Sequence, residues 1–90
     1  MNSRDLRKTP MLEVEVTPGF WGIFKEADWV TASRLVVLSA KRVPESEFTP
    51  RPCRRLNNPG VIIAHFDREG VATDPSGTII FDPKTWSPIQ

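Results

Sequence analysis

From Gly60 to Phe81 short apolar runs alternate with clusters of turn-forming residues. This pattern restricts that part of the chain to antiparallel strands joined by tight connections. Val61-Ile62-Ile63-Ala64-His65-Phe66 is the first run, and Asp67-Arg68-Glu69-Gly70 follows with a glycine placed for positive φ. Val71-Ala72-Thr73 is short and apolar. Asp74-Pro75-Ser76-Gly77 matches a type I turn position by position, with Asp at the first, Pro at the second and Gly at the fourth place. Thr78-Ile79-Ile80-Phe81 is a further strand, closed by Asp82-Pro83. The reading is a C-terminal meander over 61–81. Should the middle run fail to pair, 67–77 becomes one loop between two paired strands.

Upstream, Leu12-Glu13-Val14-Glu15-Val16 alternates apolar and acidic residues, the period of a half-buried strand, and Thr17-Pro18-Gly19 ends it. Phe20-Trp21-Gly22-Ile23-Phe24 is the most apolar short stretch. Residues 29–43 carry two open readings. The β-branched Val30, Thr31, Val36, Val37 and Val43 place a strand first, centred on Leu35-Val36-Val37-Leu38. The alternative is a helix capped by Asp28 and stopped by Pro44, with Ala32, Leu35, Val36, Ser39, Ala40 and Val43 on one face. Residues 44–60 hold Pro44, Pro50, Pro52 and Pro59. Proline removes ladder donors, so this segment reads as a proline-rich strap, an ordered loop crossing the body.

Together these segments predict a β-dominated fold, all-β or α+β. Four or five short strands would form a small barrel or a curved antiparallel sheet packed on 20–43. Residues 1–10 read as a flexible basic arm and 11–90 as one small domain. A chain of this length buries only about 60–65% of the surface its unfolded form exposes, which leaves room for partners to add stability.

The net charge of +1 gives no global attraction to nucleic acid. No apolar run approaches the length of a membrane span. The basic opening residues are not followed by an apolar signal core, because Glu13 and Glu15 interrupt, and the cytoplasm is the expected compartment. Cys53 is the one cysteine, which fits a reducing setting and excludes an internal disulfide or a thiolate zinc cluster. Its place in the strap predicts a surface thiol that is dispensable for folding.

Catalytic chemistry has little to stand on. His65 is the one histidine, near Asp67, Glu69 and Asp74 in sequence. A His–carboxylate pair could act as a general base, but a metal site needs more ligands, and a strand-edge histidine explains it more simply. The acids of 67–74 lack the glycine position and closing Glu of a calcium loop. No serine lies in a nucleophile elbow, and Gly19-Phe20-Trp21-Gly22 is too bulky for a phosphate loop. No cofactor is expected.

What remains is a surface. Arg51, Arg54 and Arg55 form the densest basic cluster, and Phe20, Trp21 and Phe24 an aromatic one. Trp and Arg dominate protein–protein hot spots. The expected function is therefore a small non-enzymatic protein-binding or accessory module, with these six residues at its contact surface and the three arginines serving binding rather than stability. Nucleic-acid binding through the basic loop and stacking aromatics is the alternative. An enzyme using His65 and a carboxylate comes third. The partner is expected to be another protein, homo-oligomerisation stays open, and no membrane is involved.

Overall fold

The computed structural model describes residues 11–25 and 28–85, and the basic arm expected at 1–10 lies outside the described residues. The alternating residues of β1 (Met11–Thr17) pair antiparallel with β2 (Phe20–Lys25) around a turn at Pro18-Gly19. Gly19 takes φ +86, and its N–H donates to Glu15 Oε2 at 2.8 Å. A bulge between Glu15 and Thr17 adjusts the register at the hairpin end.

Residues 29–40 form a helix, α1 (Trp29–Ala40), and the helical alternative prevails over the strand. Asp28 caps it, its side chain accepting from Thr31 N at 3.3 Å. Ala32, Val36 and Ala40 recur at every fourth position and are buried together with Ser33. Leu35 and Leu38 stay 40% and 58% exposed, so the Leu-Val-Val-Leu run is not the two-sided core strand its composition suggested. Spacing outweighs β-propensity here, because burial of one stripe decides whether an amphipathic helix forms.

After a 3-10 turn at Glu45–Glu47 the expected loop gives way to a strand, β3 (Arg51–Arg55), which hairpins through Leu56-Asn57 into β4 (Asn58–Phe66). The proline argument against a ladder fails for a local reason. β3 pairs with β1 only from Cys53 to Arg55, so Pro52 lies beyond that ladder and loses no bond on that side. Past Pro52 the Arg51 side chain bridges the strands instead. Its Nη1 donates to Val16 O at 2.7 Å and to Ser39 Oγ at 3.1 Å, and its Nε donates to Thr49 O at 3.2 Å. Ser39 Oγ is also hydrogen-bonded to Thr17 Oγ1.

The meander forms as read: β4 pairs with β5 (Ala72–Thr73), and β5 with β6 (Ile79–Phe81), all antiparallel. Its two turns share one construction. In each, an Asp carboxylate oxygen accepts two backbone N–H bonds, at Glu69 and Val71 for Asp67 and at Ser76 and Thr78 for Asp74. A glycine at positive φ follows three residues later, Gly70 at +85 and Gly77 at +93.

The result is one six-stranded antiparallel sheet in the order β2-β1-β3-β4-β5-β6, with α1 against one face. It is open, with β2 and β6 at its edges, and does not close into a barrel. Cross-strand register defines the inner face. Gly22, Val14, Cys53 and Ala64 form one row, and Arg51, Phe66, Ala72 and Phe81 another. Trp29 caps this core, its ring 5.8 Å from that of Phe66 and 6.4 Å from that of Phe81. Among the described residues no helix is long and apolar enough to cross a membrane.

Candidate functional site

The face of the sheet opposite α1 brings Glu13, Glu15, Trp21 and Arg54 into neighbouring positions. Because successive strand residues point to opposite faces, Glu13 and Glu15 project away from the core into which Leu12 and Val14 project. Register sets Ile23 and Arg54 on either side of Glu13, with Ile62 beyond Arg54, and Trp21 opposite Glu15. A second row runs Pro52, His65, Thr73 and Ile79.

Arg54 organises this face. Its Nε donates to Glu13 Oε1 at 2.9 Å, and its guanidinium lies 3.8 Å from the centre of the Trp21 ring. The pair is partly withdrawn from solvent, with side-chain exposures of 27% for Arg54 and 17% for Glu13. A charge-assisted bond of this length combined with a cation–π contact fixes two long side chains in one arrangement. Ile23 stands 55% exposed beside it.

The six residues singled out in the sequence are therefore dispersed. Trp21 and Arg54 meet on the open face, whereas Phe20, exposed at the hairpin end, alternates to the α1 side with Gly22 and Phe24 and pairs with Thr17. Phe24 points the other way and is 9% exposed within the core. Arg51 is 2% exposed and serves as the clamp between β1, β3 and the end of α1. Its burial pushes the guanidinium pKa down while Glu15 acts in the opposite sense, and a guanidinium remains charged under such a shift. Arg55 is exposed at the end of β3. A strand, unlike a loop, sends neighbouring residues to opposite faces, which is why a run of basic residues in sequence is no patch in space. Cys53 is fully buried in the core, contrary to the surface thiol expected.

His65 is exposed, and its register partners are Pro52 and Thr73. Among the described residues no group of His, Cys, Asp and Glu is arranged to hold a metal ion. Sequence reasoning missed Glu13 as a site residue. The acidic alternation of β1 was the available signal, but it needed the β1–β3 pairing to give it a basic partner.

No protein-family model, curated protein or solved structure shows a significant match to the chain.

Proposed function

We propose that the chain is a small non-enzymatic protein-binding module whose contact surface is the open sheet face centred on Trp21 and Arg54. The observation that carries this reading is the Glu13–Arg54–Trp21 stack, pre-assembled beside the exposed Ile23. Interfaces draw most of their energy from a few Trp and Arg side chains. Holding them in place before contact lowers the entropy lost on binding. His65 sits opposite Pro52 and Thr73, and neither cross-strand partner supplies the carboxylate a His–carboxylate pair needs, which favours a binder over an enzyme. The setting we infer is cytoplasmic, with another protein as partner.

Nucleic-acid binding is less favoured, because Arg51 is committed to the core and Arg54 is paired with Glu13. Capture from native lysate by the intact chain, with and without nuclease, tests both readings. Recovery of a discrete protein that survives nuclease and falls in Trp21→Ala and Arg54→Ala supports the open face. Nuclease-sensitive recovery with a steep salt dependence transfers the function to nucleic acid. Recovery unchanged in both variants overturns the assignment of this face. Sedimentation of the purified chain reveals whether a second copy is the partner.

A further inference from the structure

A cleft lies on the helix side of the sheet, between α1, the 3-10 turn, the β4–β5 turn and the turn after β6. It has two lobes that share Val37 and Glu69 as a common wall. The larger lobe, about 540 Å³, is lined by Lys41, Glu45, Arg68, Glu69 and Lys84, three cations against two acids. The smaller, about 340 Å³, is mostly apolar, with Val37, Leu38 and Pro83 in its wall.

Arg68 is incompletely satisfied in this arrangement. Its Nε is buried and has no hydrogen-bond partner among the described residues. Its Nη1 reaches Glu45 Oε1 only at 3.5 Å, and the Glu45 side chain is 86% exposed. An exposed pair of that length contributes little, so the guanidinium's charge is weakly compensated. The turn that presents Arg68 is nonetheless fixed. Asp67 Oδ1 accepts from Glu69 N at 2.8 Å and Val71 N at 3.0 Å, and Ser33 Oγ donates to Gly70 O at 2.8 Å, tying the turn to α1. A carboxylate entering the larger lobe would displace the loose contact with Glu45 and could take two guanidinium bonds, with Lys41 and Lys84 close by.

The apolar lobe begins one helical turn from Lys41, since Val37 lies four residues before this C-cap residue of α1. One turn rises about 5.4 Å, a separation that two adjacent side chains reach on one side when the backbone between them is turned, since an extended backbone sends them to opposite sides. We propose that this cleft binds a peptide segment in which an apolar side chain adjoins a carboxylate, the former against Val37, Leu38 and Pro83 and the latter against Arg68. The site is separate from the open sheet face and does not rest on it.

The test is a titration of the isotopically labelled full chain with the amidated dipeptide N-acetyl-Leu-Glu, read from backbone amide resonances. The expected result is saturable shifts confined to residues of the cleft, at Val37, Leu38, Lys41, Arg68, Glu69 and Lys84. They should weaken by at least about tenfold in Arg68→Gln, which removes the charge-assisted bonds. Lys41→Gln with Lys84→Gln should weaken them in the same sense, and the rest of each spectrum reports whether the variant is folded. Trp21→Ala should bind the dipeptide as the parent does, which separates this site from the open face. Equal shifts with N-acetyl-Leu-Gln would remove the carboxylate from the argument, and equal shifts with inorganic phosphate would reduce the site to an anion pocket. Either result, shifts elsewhere, or none at all overturns the proposal.

Discussion

Gly70→Ala is the substitution that most sharply tests how the meander is joined to the helix. Gly70 sits at φ +85 and is buried. A Cβ at this position would lie 2.1 Å from Ser33 Oγ, 3.0 Å from Val37 Cγ2 and 3.4 Å from Ser33 O. Three costs combine. The left-handed backbone conformation costs an L-residue about 1–2 kcal/mol. Overpacking adds about 1–3 kcal/mol. Displacing Ser33 Oγ breaks its buried bond to Gly70 O, another ~1–3 kcal/mol. Gly77 supplies the control, since it has φ +93 in an equivalent turn and nothing within 4 Å of the added carbon. Gly77→Ala should therefore show the backbone cost alone. We expect Gly70→Ala to lose at least about 3 kcal/mol in urea denaturation, the sum of the three lower bounds, and at least ~2 kcal/mol more than Gly77→Ala. Adding Ser33→Ala removes the atom that the new Cβ meets and should recover about 1–2 kcal/mol of the loss, a coupling a double-mutant cycle measures. Equal losses in the two glycine variants, or no recovery with Ser33→Ala, would show that the turn is not seated on the helix and would refute the packing argument.

Arg51→Ala should destabilise by roughly 2–4 kcal/mol, since it strips the donors from Val16 O, Thr49 O and Ser39 Oγ. Arg54→Ala should stay within about 1 kcal/mol, as for a part-exposed pair, and thermal melts of the two compare them directly. Cys53→Ser places a hydroxyl at a fully buried position and should cost about 1–3 kcal/mol; a native-state thiol reagent should modify Cys53 only at the rate of structural opening. The Asp74 carboxylate is held below its ordinary pKa chiefly by the Ser76 hydroxyl, then by Thr78 N–H. A depressed folded-state pKa stabilises the fold fully above the unfolded value, about 3.9, and that contribution is lost as pH falls through the folded value. A carboxyl titration of Asp74 by NMR should place its midpoint below that of Asp74 in the urea-unfolded chain.

The parts of the fold legible in the sequence were those encoded locally. The Asp-x-x-Gly turns, the alternation of 12–16 and the Pro18-Gly19 reversal each contain their own signal, and each formed where expected. The segments misread were those whose conformation is decided by distant residues. Pro52 fits a strand only because β1 has already diverged at that point and Arg51 fills the gap. The 29–40 helix depends on a stripe whose worth is set by the sheet beneath it. The site divides the same way. Trp21 and Arg54 were recognisable as residue types, but their stacking follows from a pairing of strands that lie far apart in sequence. The cleft is drawn from residues 33–45, 68–69 and 83–84, and no short window of sequence contains it.

The position of β3 between β1 and β4 has a consequence for the route by which the chain folds. Residues 11–40 close on themselves through a hairpin and the helix against it, and residues 51–81 close through successive hairpins. Contacts within each half span short loops, whereas the β1–β3 ladder, the Arg51 bridge, the Ser33–Gly70 bond and the packing of Trp29 on Phe66 and Phe81 all join one half to the other. Closing the chain between the halves is the entropically expensive step, and it is offset as these ties form. The seam along Val14 and Cys53 is then where the molecule opens first. Hydrogen exchange should find the amides on either side of that seam released in one cooperative event, at a lower free energy than those inside either half.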